Sequence, residues 1–539
     1  MTAPSSDVPG YPDPDTTGDL QVLRAFGARV PNNPILALSA SGVGAVLRKI
    51  KATIIEAAGR GNFWQQPPLL APSTVTTGVT YYKGDVVAGT GGNAGNAYMA
   101  QVDAAASTTP ASLTGTGPYA ITDGGQIWTY YGSSAADPTS DVASLVIGAP
   151  DASATLIVNC VANNVPDTTK FNFIGGGASV TTPGGLQSVS MASTPVLGAT
   201  ISGVAGYEIN LCGLDFMTDS DVVCVASSYA IGGTDYNKYR IRVDGKPLTK
   251  GVMHPTSPPG TFGMNVAFKG RKERRFTEYH GSNGVIPFQK VYIKPGSSIW
   301  APSNPNRWNL VINGCSVDSQ NFNASIPDGA YPTQVAGMLG CDSVCNIAVN
   351  GTGFTNTQIS GTTVQTYDQR LATFFARGGI PCDVYMVGNP LNDNTSNTPG
   401  FTPELLQQAV LQHLINARAG FGPNVIMLLT GLQSGTGGPS AQTLANEAAM
   451  LAAFNQYKTA YPNDSFVAFI PVATDPAGPW VFGGKASQGS VAPVSGNSDY
   501  YMTAPNDPHP WILGHDYYAR RYYQAIKNAL LTLAAQAGV

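Results

Sequence analysis

The sequence predicts a multidomain protein: an N-terminal arm and helix, a small all-β module, a β-sandwich of jelly-roll type and a C-terminal α/β three-layer domain. Three observations favour this fold class. The chain has 539 residues, too many for one ordinary domain. Its 62 glycines and 40 prolines, with only 12% charged residues, are typical of turn-rich β proteins. After residue 306, apolar strands begin to alternate with helical segments.

Residues 1–70 are predicted to form an extended arm followed by one helix. Residues 1–35 are rich in Pro, Asp and Thr and show no periodicity. Ser41 can cap a helix in which apolar residues from Val43 to Ile54 recur at helical spacing. An apolar stripe without a partner helix beside it favours docking onto another protein or self-association, expected as a homotrimer. The alternative is that the helix packs on the chain's own downstream domain.

Residues 71–135 are predicted to form a small β module with three aromatic landmarks. These are Tyr81–Val87, Tyr98–Ala100 and Thr122–Gly132. The pattern resembles the small carbohydrate-binding modules of chitinases and phage tail proteins. The resemblance implies that aromatic faces stack on sugar rings. The candidates for sugar contact are Trp128, Tyr130 and Tyr82; the alternative is that these aromatics form the core of the module.

Residues 136–305 read as strands throughout and are predicted to form the β-sandwich. Lys238–Val243 and Lys290–Ile293 are examples of these strands, and Asp244-Gly245 is typical of a hairpin turn. Arg271–Arg275 is a charge cluster. It could face an acidic polysaccharide, or it could be a solvated strand or loop.

Residues 306–539 are predicted to form an α/β domain with a parallel sheet. The predicted strands are Leu310–Ile312, Val344–Val349, Val384–Val387, Val425–Leu429 and Phe466–Ile470. The predicted helices are Tyr367–Arg377, Pro403–Ala419, Ala441–Tyr461 and Gly514–Ala535.

A serine and a histidine in this domain are candidates for nucleophilic chemistry. The strand Leu310–Ile312 runs into a tight turn that presents Ser316 at the carboxyl edge of the sheet. Of the five histidines, His509 is the best candidate base, because it lies in a proline-flanked loop just before the last helix. His413 lies among apolar helix residues and is predicted to be structural. The others are His254 and His280, in the sandwich, and His515, at the start of the last helix.

Four short blocks of this domain resemble those of the SGNH (GDSL-like) hydrolase family, in its carbohydrate-esterase form. They are Gly314-Cys315-Ser316, Val349–Phe354, Val387–Asp393 and Asn506–Pro510. They occur in the family's order, each after a predicted strand or before the last helix. The resemblance implies a flavodoxin-like fold and a serine esterase or deacetylase. It covers about 230 residues.

The resemblance assigns roles to individual residues. It implies that Ser316 is the nucleophile and His509 the base. The oxyanion would be bound by the Ser316 N–H, the Gly351 N–H and the Asn392 side chain, with Asn389 as a rival for Asn392.

This sequence departs from the family at two further positions. Cys315 stands where the family has Asp. The family's acid lies three residues before the histidine, at Asn506, and we expect the adjacent Asp507 to take that role. These departures leave open whether the site is active or has become a binding scaffold.

The sequence predicts neither a cofactor nor a metal. The seven cysteines are expected to be buried free thiols, although Cys341 with Cys345 or Cys212 with Cys224 could pair under oxidation. No histidine lies at zinc-ligand spacing from them. The net charge of −4, without a basic block, argues against nucleic-acid binding. No apolar run reaches the roughly 18 residues of a membrane span.

These observations favour a bacteriophage tail fibre or tailspike. It would bind host surface polysaccharide and hydrolyse its esters, with O-acetyl as the expected group. The composition is typical of extracellular or virion proteins, while the N-terminus has no secretory pattern. We therefore expect a virion tail protein, extracellular after host lysis, with residues 1–60 contacting other virion proteins. The alternatives are a non-catalytic receptor-binding or structural virion protein and a secreted bacterial carbohydrate esterase.

Overall fold

The computed structural model describes most of the chain from residue 67 onward. The described residues are 67–102, 105–106, 121–123, 125–174, 179–181, 188–190, 212–229, 238–253, 260–281, 288–302, 308–319, 327–341, 343–359, 362–376, 381–433, 438–482, 497, 501 and 508–536. The predicted arm and helix of residues 1–60 lie outside them, as do His254 and both candidate acids, Asn506 and Asp507.

The first described unit is a small antiparallel β module. Its strands are β1 (Thr80–Tyr81), β2 (Val86–Ala88), β3 (Asn96–Ala100), β4 (Ala105–Ala106), β5 (Ile121–Asp123) and β6 (Gln126–Ser133), with a 3-10 turn at Gly91–Asn93. The sheet order is β2-β3-β6-β5, and β1 pairs with β4. Side chains alternate across such a sheet, and one face packs around Trp128 and Tyr98.

Two antiparallel sheets follow. Their strands are β7 (Val142–Gly148), β8 (Leu156–Asn159), β9 (Val161–Ala162), β10 (Val165–Pro166), β11 (Asn172–Ile174), β12 (Ser179–Thr181), β13 (Ser188–Ser190), β14 (Cys212–Thr218), β15 (Val222–Tyr229), β16 (Lys238–Val243), β17 (Lys246–Pro247), β18 (Gly260–Phe268), β19 (Arg274–Gly281), β20 (Phe288–Ile293) and β21 (Ile299–Trp300). One sheet has the order β11-β14-β19-β16-β17, with β21 beside β14. The other has the order β12-β13-β20-β15-β18-β7, with β8 beside β20, and β9 pairs with β10.

The two large sheets share one apolar core, which makes this unit a β-sandwich. Phe216 and Phe276 of the first sheet stack at 5.3 Å between ring centroids, and Val225 and Val266 of the second belong to the same cluster. The predicted hairpin at Asp244-Gly245 is present. Both residues have positive φ, +51° and +79°, as a two-residue turn between paired strands requires.

The C-terminal unit is an α/β domain built on a parallel sheet. Its strands are β22 (Asn309–Asn313), β23 (Ser343–Asn346), β24 (Gln358–Ile359), β25 (Thr362–Thr363), β26 (Val384–Gly388), β27 (Ile426–Thr430) and β28 (Val467–Ile470). The parallel order is β23-β22-β26-β27-β28, and β24 pairs with β25 separately. The second strand in chain order, β23, lies at the edge of the sheet beside the first strand, β22, and the later strands follow on the other side of β22. This is the doubly wound order of flavodoxin-like folds, in which ligands bind beyond the carboxyl ends of the strands.

Within the described residues of this domain, five helices accompany the sheet. They are α1 (Tyr331–Leu339), α2 (Tyr367–Ala376), α3 (Pro403–Phe421), α4 (Ala441–Ala460) and α5 (Ile512–Gln536). Thr402 and Ser440 cap α3 and α4 by accepting backbone N–H bonds, at 3.2 and 3.0 Å. The four predicted helices are present within two residues at each end, whereas α1 was not predicted.

Candidate active site

Ser316 lies on a tight turn directly after β22. The Cys315 carbonyl accepts the amides of Asp318 at 3.1 Å and Ser319 at 3.0 Å, which closes the turn. Ser316 is 9% exposed. Because β22 lies between β23 and β26, this serine projects from the middle of three neighbouring strand ends.

Asp318 holds the backbone of this turn. One carboxylate oxygen accepts the Cys315 N–H at 2.8 Å, and the other accepts Asn389 Nδ2 at 2.7 Å and the Tyr331 hydroxyl. Burial raises the pKa of the Asp318 carboxyl to about 6, against the lowering effect of these donors. A Cβ added at Gly314 would overlap this carboxylate, so glycine is required there.

His509 and Ser316 are in direct hydrogen-bond contact. His509 Nε2 lies 2.7 Å from Ser316 Oγ, although the two residues are 193 positions apart. The chain therefore brings together the serine and the histidine that the sequence singled out. For the hydroxyl to donate to Nε2, the neutral ring must carry its proton on Nδ1.

The loop after β23 lies against the serine turn, as an oxyanion site requires. Val349 N–H donates to the Gly314 carbonyl at 3.1 Å, and the Thr352 hydroxyl contacts the same carbonyl at 3.3 Å. Gly351, between them, has φ +70°, a conformation that favours glycine. Asn392 Nδ2 donates to the Thr352 carbonyl at 2.9 Å, which places this amide beside the Gly351 loop.

Asn389 is committed to holding the framework. It is fully buried with φ +54°, and its Nδ2 donates to Asp318. Its Oδ1 accepts the Gln433 N–H at 3.0 Å. Both ends of this amide are therefore used within the framework, and the role of Asn392 as the oxyanion donor stays a prediction.

Sequence reasoning missed the buried polar groups behind the loops. Arg370 donates to Asn313 Oδ1 at 3.0 Å and to Thr352 Oγ1 at 3.0 Å, which ties β22 to the Gly351 loop. Asp393 accepts the backbone N–H of Phe354 at 2.9 Å and of Asn356 at 3.1 Å, and burial raises the pKa of its carboxyl. No local sequence signal separates Arg370 from ordinary surface polar residues, whereas Asp393 lies at the end of the block Val387–Asp393 but was given no role.

The prediction that Trp128 stacks on sugar is wrong. Its side chain is 0% exposed, and its ring meets Tyr81 edge to face at a centroid distance of 5.0 Å. The ring packs with Tyr81 and Tyr98 in the apolar core of the module, where a large aromatic side chain buries the most surface. Tyr130 and Tyr82 are half-buried, so part of each side chain reaches the surface, and their sugar contact stays a prediction.

The charge cluster Arg271–Arg275 is paired within the sandwich. Arg271 bonds Asp219 and Arg275 bonds Asp215, while Arg274 is 1% exposed and bonds Asp141 at 2.5 Å. Three arginines of the cluster therefore have carboxylate partners within the sandwich, and contact of the cluster with an acidic polysaccharide stays a prediction.

Cys160, Cys224, Cys315, Cys341, Cys345 and Cys382 are not joined in disulfides, and the side chain of Cys212 lies outside the described part. Among the described residues, no three or more His, Cys, Asp or Glu side chains are grouped to hold a metal ion. No helix in the described part has the length and apolar character of a membrane span.

A groove of about 480 Å³ lies along the edge strand β28. Phe469, Phe454 and Ala529 contribute to its walls, and neither Ser316 nor His509 lines it. The groove is therefore a feature separate from the serine–histidine pair.

Comparisons with known proteins found likenesses among solved structures alone. No protein-family model matches the chain, and no curated protein matches it. A family two carbohydrate esterase from Cellvibrio japonicus is similar over 72% of this chain and 99% of its own, with 11% identity and a TM-score of 0.44. A salicylyl-acyltransferase from a tetracycline biosynthetic pathway is similar over 70% and 98%, with 13% identity and a TM-score of 0.47. An acetyl xylan esterase from the rumen bacterium Butyrivibrio proteoclasticus is similar over 70% and 99%, with 13% identity and a TM-score of 0.44. Likenesses at these values do not define a reaction, so the function has to be argued from the side chains.

Proposed function

We propose that this protein is an SGNH-type serine ester hydrolase that removes acyl groups, with O-acetyl as the expected group, from a carbohydrate. One observation carries the proposal: Ser316 Oγ lies 2.7 Å from His509 Nε2, at the carboxyl edge of a doubly wound sheet. A serine hydroxyl becomes a useful nucleophile when a base within hydrogen-bond reach can take its proton.

In the first half of the reaction, Ser316 Oγ attacks the carbonyl carbon of the ester and His509 Nε2 takes the hydroxyl proton. The carbonyl oxygen becomes an oxyanion, which the N–H groups of Ser316 and Gly351 and the Asn392 amide would bind. When the intermediate collapses, the C–O bond to the sugar breaks. His509 returns the proton to the departing sugar oxygen, which leaves the acyl group on Ser316.

In the second half, water replaces the sugar. His509 takes a proton from the water molecule while the oxygen of that water attacks the acyl carbon. Collapse of this intermediate breaks the bond to Ser316 Oγ, which regains the proton from His509. The products are a carboxylic acid and a free serine.

Cys315, which replaces the family's Asp, does not disturb this arrangement. Burial raises the pKa of its thiol, so the side chain is neutral and packed in the core. Its backbone N–H is held by Asp318. A large distance between Ser316 and His509 would favour the non-catalytic alternative, whereas the two side chains are in hydrogen-bond contact.

The test is hydrolysis of a small acetyl ester by purified wild-type protein and by Ser316→Ala. We expect the variant to lose at least about 10³-fold in kcat. Ser319→Ala is the matched control, because Ser319 is a second serine on the same turn and its N–H bonds the Cys315 carbonyl. Equal rates for wild type and Ser316→Ala would contradict the proposal.

The biological setting extends this proposal. We propose a tail fibre or tailspike, expected as a homotrimer, whose residues 1–60 dock onto other virion proteins. The support is the composition and the apolar stripe between Val43 and Ile54. Deleting residues 1–60 should prevent incorporation into particles and leave the C-terminal domain folded. Incorporation of the shortened protein into particles would contradict the proposed tail-protein role. So would finding that the full-length protein is a secreted bacterial enzyme. Neither result would affect the proposed ester hydrolysis.

A further inference from the structure

We propose that the small β module and the sandwich are positioning elements of the catalytic pair: the module holds the His509 loop, and the sandwich holds the Ser316 turn. The inference rests on the proposed function. It differs from a sugar-binding role for the module, because it concerns turnover of any ester, including one too small to reach the module.

The His509 side of the pair is anchored on the module through an apolar cluster. Trp511 and Ile512, two and three residues after the histidine, are each 1% exposed. They pack with Met99 of the module and Val252 of the sandwich in a cluster separate from the main cores. The loop that carries His509 therefore ends in side chains that are buried by another unit.

The module is built to present this contact. Val86 pairs with Met99 across β2 and β3, and Val87 pairs with Tyr98. Because side chains alternate across a strand, the two pairs face opposite ways. Val87 and Tyr98 fill the core of the module, whereas Val86 and Met99 join the cluster around Trp511. A free module would expose this second apolar face to water.

The sandwich fixes the module in place. Val252 N–H donates to the Gly84 carbonyl at 3.2 Å. A Cβ at Gly251 would lie 2.7 Å from Val86 N, so the two backbones approach as closely as glycine allows. The module therefore sits on the sandwich at the edge where Met99 meets the His509 loop.

The Ser316 side is anchored on the sandwich through buried charges. All six residues of β16 are buried, with Tyr239 and Ile241 in the sandwich core. On the opposite face, Arg242 Nε donates to Asp328 at 2.8 Å, and Arg240 Nε lies 3.3 Å from the same carboxylate. Both arginines and Asp328 are at most 2% exposed.

Asp328 connects this ion pair to the nucleophile. It lies three residues before Tyr331, whose hydroxyl bonds Asp318, which in turn accepts the Cys315 N–H next to Ser316. Tyr331 is also stacked on Tyr522 of α5 at 4.8 Å. Small displacements of reacting groups cost large factors in rate, so supports on both sides of a 2.7 Å contact control turnover.

The first experiment compares Met99→Ala with Val87→Ala in the full chain, using a small soluble acetyl ester. Both variants remove apolar side chains from neighbouring positions of one module, so both should lower the melting temperature. We expect Met99→Ala to lower kcat by about tenfold or more with KM little changed, Val87→Ala to stay within about twofold of wild type, and Met99→Leu to restore turnover.

If Met99→Ala and Val87→Ala have equal kcat values and the wild type is active, the positioning inference is overturned and the proposed function is not affected. A loss seen only as a raised KM on polysaccharide also overturns the inference and would assign the module to sugar binding. If the wild type shows no Ser316-dependent hydrolysis, the proposed function fails and the inference falls with it.

The second experiment tests the buried charges. Arg242→Met removes the bond to Asp328, whereas Arg274→Met removes a buried arginine whose bonds stay within the sandwich. We expect a loss of kcat on the small ester for Arg242→Met alone. Equal kcat in the two variants would contradict the sandwich's part in positioning Ser316.

Discussion

At the scale of single residues, Asp318 is the group on which the geometry of the nucleophile depends. It receives three donors and offers no proton of its own while ionised. Protonation would place a hydrogen among three donors and loosen the turn. The raised pKa of about 6 brings this event close to the pH range in which enzymes work.

We therefore expect the acid limb of log(kcat/KM) to be steep. Protonating the base alone gives a slope of one, and protonating Asp318 as well adds a second proton below about pH 6. In Asp318→Asn the plateau should fall, because an amide N–H would face donors, and the slope should return to one. A slope of one in the wild type would contradict this role for Asp318.

Replacing each of the two asparagines after β26 should affect a different property: stability for Asn389 and turnover for Asn392. Asn389→Ala leaves the Gln433 N–H without its acceptor and removes one of the three donors of Asp318, so it should cost about 2–4 kcal/mol of unfolding free energy. Asn392→Ala should lower kcat about 10²-fold while costing only about 1 kcal/mol. Chemical denaturation and steady-state kinetics of both variants measure this. A reversed pattern would make Asn389 the oxyanion donor.

The sequence could indicate Ser316 and His509 because each lies in a short local pattern. Asp318 lies in the same stretch, but its role depends on Tyr331 and Asn389, which only the fold brings to it. The choice between Asn389 and Asn392 likewise depends on burial. Local patterns could therefore single out the pair but not the side chains that support it.

At the scale of elements, buried carboxylates organise the loops at the carboxyl edge of the sheet. Asp318 and Asp393 hold the loops nearest the pair. Glu447 of α4 is fully buried and accepts the backbone N–H of Leu432 at 2.8 Å, Val472 at 3.1 Å and Thr474 at 2.8 Å. The loops after β27 and β28 are therefore held by one helical side chain.

Glu447→Gln should destabilise the protein by about 2–4 kcal/mol, because the amide N–H₂ would face backbone donors. Glu404→Gln is the matched control: this glutamate is exposed in the first turn of α3, so its loss should cost at most about 0.5 kcal/mol. Denaturant unfolding of both variants decides the matter. Equal unfolding free energies would show that the loops do not depend on Glu447.

Helix α1 shows why one element could not be predicted. Its sequence contains Gly337 in its second half and has no side-chain cap, which gives it little helical preference of its own. It packs against α5, and Tyr331 is stacked on Tyr522. Tertiary packing supplies what the local sequence lacks, whereas α3 and α4 carry their own caps and periodicity.

At the scale of the whole molecule, the small β module, the sandwich and the α/β domain contact one another and together support the Ser316–His509 pair. The sandwich and the parallel sheet were predictable from strand patterns. The contacts between units were not, because Met99, Arg242 and Asp328 look like ordinary core or surface residues in the sequence. Burial of charged side chains between units becomes visible only in three dimensions.

The effect of an N-terminal truncation on turnover should depend on whether it removes these contacts between units. A chain beginning at residue 67 should retain turnover of a small ester within about twofold, because the supports described around the pair come from residue 67 onward. A chain beginning at residue 137 lacks Met99 and should lose about tenfold or more in kcat. Full activity of the shorter chain would contradict the connected support.

The central claim is that Ser316 is a nucleophile activated by His509. The most direct measurement is covalent labelling with a fluorophosphonate, which loses fluoride on attack by an activated serine, followed by peptide mass analysis. The account predicts a single adduct on Ser316 in the wild type, none in Ser316→Ala, and labelling at least about 10²-fold slower in His509→Ala. An adduct on another serine, or an undiminished rate in His509→Ala, would contradict it.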